Sequence, residues 1–219
     1  MAVRTWERRE LSLRPSVGTL AGVALPTFAP MLASTQPPTA GADWAFEPKL
    51  DGWRALIYVD GAVTVRTRTG RDITEHVDNL QALADLGRRF VLDGELVAES
   101  GRAGDFYRLG PNLRSSSRRD ITFVVFDLLV LDDDYLLDRP YHDRRCLLEE
   151  LDLFGPGLVT IRALAGSPRV LLDGCASLDV EGVVAKRVDS PYRPGVRSGD
   201  WLKLKTADWK LGHAPRRHR

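Results

Sequence analysis

The stretch Glu47-Pro48-Lys49-Leu50-Asp51-Gly52-Trp53-Arg54 decides how this chain is read. The runs on either side of its centre, 44–49 and 53–59, are rich in aromatic and β-branched residues, which fit a pleated strand. Asp51-Gly52 between them turns the chain back. Lys49 is thereby set at the end of a strand, projecting from the rim of a sheet. Gly52 is expected to take a φ that a residue with a Cβ disfavours. Arg54 brings a second cation close to Lys49, which disfavours protonation of the amine and suits a nucleophile. A lysine in a solvated hairpin turn has the same local pattern, so the wider sequence has to separate the two readings.

Downstream, Asp60-Gly61 is a hairpin signal and 63–67 alternates as a strand. Val77, Leu80, Leu83, Ala84 and Leu86 predict a helix over 75–88. Further strands are expected at 90–98, 121–131, 158–161, 182–187 and 201–205, and helices at 141–151 and 168–178. Strand alternation places Phe126 with Val124 on one face, and Phe123 with Val125 on the other. Residues 104–119 read as a polar, basic, Ser-rich connection with a helical turn at 106–109. Residues 1–40 are rich in Ala, Pro, Thr and Ser, an extended lead-in from which Met31 and Leu32 dock on the body. Strands adjacent in sequence, with helices between some pairs, predict an α+β fold with mainly antiparallel sheets flanked by helices. Neither GxGxxG nor GxxxxGK[ST] is present, which argues against Rossmann and P-loop sites.

The 219 residues suffice for one large or two small domains with a sizeable core. With 43% hydrophobic and 28% charged residues the composition is globular. The formal net charge of +1 means that nucleic acid, if bound, is held by a local patch. No apolar run approaches the ~18 residues of a membrane helix, and no secretory signal is visible, so the expected setting is cytoplasmic, without a membrane partner. Cys146 and Cys175 lack zinc spacing, and His76, His142, His213 and His218 lack metal-ligand spacing. The chain holds five lysines against twenty-six arginines. Where arginine serves for ordinary positive charge, the remaining lysines are expected where only an amine will do: a nucleophile, or a compact phosphate contact. They are Lys49, Lys186, Lys203, Lys205 and Lys210.

Four of the five fall in segments that resemble, in order, the motifs of the covalent nucleotidyltransferases. The first stretch matches KxDGxR. Leu92-Asp93-Gly94-Glu95-Leu96, 123–129 (FVVFDLL), 181–186 (EGVVAK) and 201–205 (WLKLK) match the next four. The forms of these segments are most similar to ATP-dependent DNA ligases of the bacterial type, over about residues 28–210. The resemblance implies the covalent nucleotidyltransferase fold and a lysyl-AMP at Lys49, made from ATP with Mg²⁺ or Mn²⁺. It implies that Glu95 and Glu181 are metal and ribose ligands. Phe126 would stack on the purine, Glu47 would meet the adenine amino group, and Arg54 and Arg68 would hold phosphate and ribose. Lys203 and Lys205 would meet the α-phosphate, Arg197 the triphosphate, and Lys186 would act less directly.

The implied substrate is nicked double-stranded DNA, whose 5′-phosphate receives the AMP in repair or recombination. The implied organisation is a lead-in at 1–27, the adenylation domain at 28–210 and a short basic tail at 211–219. The fourteen residues after Lys205 are too few for the OB-fold that carries the family's last motif, so an OB-fold or repair protein in trans is an expected partner. Arg114–Arg119 reads equally as a DNA-backbone contact or a solvated loop. Two rival readings remain: an RNA ligase or capping-type enzyme, and a non-catalytic binding module that keeps the fold.

Overall fold

The computed structural model describes residues 2–6, 24–98, 107–110, 121–155 and 157–207. The basic loop 114–119, the tail and Lys210 lie outside the described residues. In chain order the elements are β1 (Ala2–Val3), β2 (Leu32–Ser34), β3 (Trp44–Pro48), β4 (Trp53–Val59), β5 (Val63–Thr67), β6 (Phe90–Ala98), β7 (Ile121–Leu131), β8 (Asp134–Tyr135), α1 (Tyr141–Glu150), β9 (Phe154–Gly155), β10 (Leu158–Thr160), β11 (Leu164–Ala165), α2 (Pro168–Ser177), β12 (Gly182–Arg187) and β13 (Arg197–Lys205). One sheet has the order β1-β11-β3-β12-β13-β2, the other β5-β4-β6-β7-β10-β9 with β8 hydrogen-bonded to β7. Among the described residues only the β10–β7 and β13–β2 pairs are parallel, so the architecture is the expected α+β with mainly antiparallel sheets.

Period-two alternation decides which residues lie between the sheets. Leu56 and Tyr58 of β4, Val91 of β6, and Phe126 and Leu129 of β7 meet Ala33 of β2 and Trp201 of β13 in one buried cluster. Ala55, Ile57 and Val59 take the opposite face of β4, where they pack against Val77, Leu80, Leu83 and the α1 leucines Leu147 and Leu148. Helix α2 covers the outer face of the other sheet through Leu171 and Cys175, against Phe46, Val183, Ala185 and Leu202. Phe126 and Val124 do share a face, with Phe123 and Val125 on the other. A register shift pairs Gly94 with Val125 and Asp93 with Asp127, leaving Phe126 as the extra residue of a bulge, and bulges re-aim side chains. Among the described residues no helix is long and apolar enough to cross a membrane.

Several expectations are corrected. The 75–88 segment is two 3₁₀ stretches, Thr74–His76 and Asp78–Leu86, rather than an α-helix. Its buried residues Val77, Leu80 and Leu83 recur every three positions, which is the period of a 3₁₀ turn. The lead-in, extended as expected, also pairs with the body: Ala2–Val3 with β11 and Leu32–Ser34 with β13. Arg4 then locks to Asp43 at 2.6 Å, and Trp6 stacks edge-on against Tyr141 and His142. Met31 docks as expected, fully buried, with its backbone N–H donating to the Tyr192 hydroxyl. Gly52 has no positive φ. Its missing side chain matters through close approach, since a Cβ there would lie 2.1 Å from the Leu96 carbonyl oxygen.

Candidate active site

Two rows of side chains face each other across the gap between the sheets. In the first sheet, Glu47 of β3 pairs with Val184 of β12, which pairs with Lys203 of β13. In the second, Arg54 of β4 pairs with Glu95 of β6, which pairs with Val124 of β7. Together with Lys49, Arg68, Phe126, Lys186 and Trp201, most of these side chains line a cavity of about 500 Å³. That volume suits a mononucleotide-sized ligand. The cavity has an aromatic wall, a rim of cations and a single unpartnered carboxylate.

Lys49 follows the last residue of β3, and its backbone N–H donates to the Gly182 carbonyl at 2.8 Å. The turn after it closes over Leu96 at Gly52, which fixes where the amine emerges. Its Nζ contacts the buried carboxylate of Glu181, whose other oxygen takes Lys205 at 2.7 Å. Glu181 thus orients two of the five lysines. Lys203 is held below the usual lysine pKa by burial first, then by the cations Lys49 and Arg197.

Arg54 forms a fork to Asp93, with Nη2–Oδ2 at 2.6 Å, and its guanidinium lies 4.3 Å from the centre of the Phe126 ring. The Tyr192 hydroxyl donates to the same carboxylate at 2.6 Å. Sequence reading missed Asp93 and Tyr192. The available signal was a charged residue inside the apolar strand 90–98, because a buried carboxylate needs a partner. Glu47 is also buried, paired with Lys186 at 2.6 Å and accepting from the Tyr141 hydroxyl. Lys186 is therefore closer to the site than expected. Its ammonium lies 4.1 Å from the Phe126 ring centre and 4.3 Å from that of Trp201.

Of the residues singled out in the sequence, Glu47, Lys49, Arg54, Arg68, Glu95, Phe126 and Lys203 line the cavity. Glu181 joins it through Lys49 and Lys205 through Glu181, whereas Arg197 is tied to the Ala33 carbonyl at 2.6 Å and is not part of the cavity wall.

Glu95 is the carboxylate that accepts no hydrogen bond from the described residues. Burial is the main cause that lifts its pKa from 4.5 to about 7, against the pull of Arg54 and Lys49. An unpartnered, desolvated carboxylate facing phosphate-sized space fits a divalent cation, which takes one or two carboxylates plus phosphate oxygens. Among the described residues no cluster of three or more His, Cys, Asp or Glu forms a metal site by itself. A stability prediction follows for the metal-free chain. Below pH 4.5 Glu95 is neutral whether folded or unfolded. Between pH 4.5 and 7 only the unfolded state ionises, so stability is lost as pH rises and the loss is complete above 7. Glu95→Gln should therefore raise the melting temperature at pH 8 and leave it unchanged at pH 4, as read by thermal scans.

Residues 30–205 match the ATP dependent DNA ligase domain family. The multifunctional non-homologous end joining protein LigD of Mycolicibacterium smegmatis is 42% identical over 186 residues, covering 81% of this chain and 24% of that protein. Its counterpart in Pseudomonas aeruginosa is 43% identical over 188 residues, covering 81% and 22%. A solved mycobacterial DNA ligase D complexed with ATP and MES superposes with a TM-score of 0.69 at 39% identity, covering 81% of this chain and 60% of that one. The chain spans under a quarter of the length of these two curated relatives. With the family matched over most of its length and Lys49, Lys186 and Lys203 gathered on one cavity, the chain belongs to the ATP-dependent DNA ligase domain family.

Proposed function

We propose that this chain is the adenylation unit of a bacterial end-joining ligase. Lys49 Nζ attacks the α-phosphorus of ATP, the phosphoamide bond forms, and pyrophosphate leaves. The AMP then passes to the 5′-phosphate of a nicked or broken duplex DNA, regenerating the amine. The observation that carries this reading is Lys49 held by Glu181 at the edge of a nucleotide-sized cavity, with Lys203, Arg54 and Arg68 around it. The contact with Glu181 orients the amine and gives its proton an acceptor, while the lysine and arginine cations favour the charged phosphate. Mg²⁺ or Mn²⁺ would be held by Glu95 and the nucleotide's phosphates, with Glu181 nearby, and would neutralise charge on those phosphates. The purine would lie along Phe126, and Arg68 at the rim would meet ribose or phosphate. Kinship with LigD-type proteins supports DNA over RNA as acceptor and end joining as the pathway.

Incubating the chain with α-labelled ATP and Mg²⁺, then running a denaturing gel, tests the first step. The expected result is one label per chain, stable to alkali and released by acid as a phosphoamide bond requires, and no label would defeat the proposal. Phe126 tests the base pocket. It is buried against Trp201, Arg54 and Lys186, so an alanine there would disturb core and ligand together. Phe126→Leu keeps the volume nearly filled and removes the ring. ATP affinity should fall by about 1–3 kcal/mol while stability changes by less than about 1.5 kcal/mol. Titration calorimetry and thermal unfolding read the two quantities separately.

A further inference from the structure

Glu47 is a cavity-lining carboxylate with both oxygens engaged by the protein. Lys186 donates to Oε2 at 2.6 Å, and the Tyr141 hydroxyl donates to Oε1. Lys186 is itself fixed. It donates to the Phe126 carbonyl at 3.4 Å and sits against the rings of Phe126, Trp201 and Tyr141. Tyr141 is completely buried and braced by the edge-on indole of Trp6. An ionised carboxylate has about four acceptor positions, so two remain for a ligand after these bonds. Two anchors on different oxygens, the Lys186 amine and the Tyr141 hydroxyl, stop Glu47 from rotating.

Rotation matters because purines differ in what they present. Adenine offers a donor at its 6-amino group. Guanine offers an acceptor at O6, with donors only at N1 and the 2-amino group. A free carboxylate could swing onto the guanine donors, whereas one fixed toward the 6-position would face O6 with two acceptors opposed. We propose that Lys186 and Tyr141 are positioning residues that hold Glu47 as a fixed acceptor, so that the cavity selects a 6-amino purine over a 6-oxo purine. The proposal rests on the nucleotide-binding reading above, and names what sets its base preference.

The test is equilibrium binding of ATP and of GTP to the wild-type chain, Tyr141→Phe and Lys186→Met, each repeated in a Glu47→Gln background. Label transfer to Lys49 is followed in parallel. The wild type should prefer ATP. Each single variant should shrink the ATP:GTP affinity ratio by about tenfold or more, the scale of a hydrogen bond to a charged group. Within the Glu47→Gln background neither should change the ratio further, because the carboxylate they position is gone. A ratio that stays constant while ATP affinity falls would show a purely structural role and overturn the proposal. So would an equal shift in the Glu47→Gln background, or a wild type that binds both nucleotides alike. If Lys186→Met fails to fold, Tyr141→Phe, which removes a single oxygen, decides the outcome. ATP-selective binding without label at Lys49 would defeat the adenylation reading and leave the base-selection proposal standing on the ratios.

Discussion

Lys49→Arg should yield a folded protein that acquires no AMP at all, even after overnight incubation with labelled ATP and Mg²⁺. Guanidinium keeps the charge opposite Glu181 and so spares the buried carboxylate from losing a partner. It cannot shed a proton at any working pH, so it offers no lone pair for attack on phosphorus. The variant should still bind ATP, because the cavity's aromatic wall and the other cations are untouched. Binding without labelling separates loss of the nucleophile from loss of the site. Label on the arginine variant would place the reactive group elsewhere.

The largest loss of stability is expected at Arg144. This side chain and Asp127 are both fully inaccessible to solvent, and two parallel bonds of 2.7 and 2.9 Å join them. Arg144 also donates to the carbonyls of Arg139 at 2.6 Å and Ser190 at 3.1 Å. Asp127 follows the bulged Phe126, so the pair ties α1 and the loop before β13 to the strand beneath the cavity. Arg144→Ala strands a buried carboxylate and should cost about 3–5 kcal/mol in urea unfolding. Replacing both members with apolar residues of similar volume, as in Asp127→Leu with Arg144→Met, should recover most of that loss, since the desolvation cost of both charges disappears with them. A double variant as unstable as the single one would mean that the carbonyl contacts of Arg144, rather than its charge pairing, hold the loop.

The strands that were legible in the sequence are those whose own residues require them. Phe90–Ala98, Ile121–Leu131 and Gly182–Arg187 are rich in β-branched and aliphatic residues, and each forms over the expected span. Ala2–Val3, Leu32–Ser34 and Leu164–Ala165 were not legible. They are two or three residues long and become strands because an edge is there to pair with, which no local pattern encodes. The site divides in the same way. Lysine scarcity and motif spacing pointed to Lys49, Lys203 and Lys205, and also to Glu95 and Glu181. The bracing groups were hidden, because Tyr141 reaches Glu47 from 94 residues away and Tyr192 reaches Asp93 from 99. Long-range partners of buried charges are set by how the two sheets stack, and stacking is invisible until the strands are placed.

The placing of lysines has a consequence for reagents rather than substrates. Acylating agents, such as activated esters, modify free amines and leave guanidinium alone. Aside from the chain's α-amine and Lys210, every amine in this protein stands in or beside one cavity, with Lys186 sealed inside it. The amine of Lys203 has its pKa lowered, chiefly by burial, which favours its unprotonated, acylable form. Beyond the α-amine and Lys210, the modification that inactivates this chain should therefore fall at the cavity, and bound nucleotide should slow it.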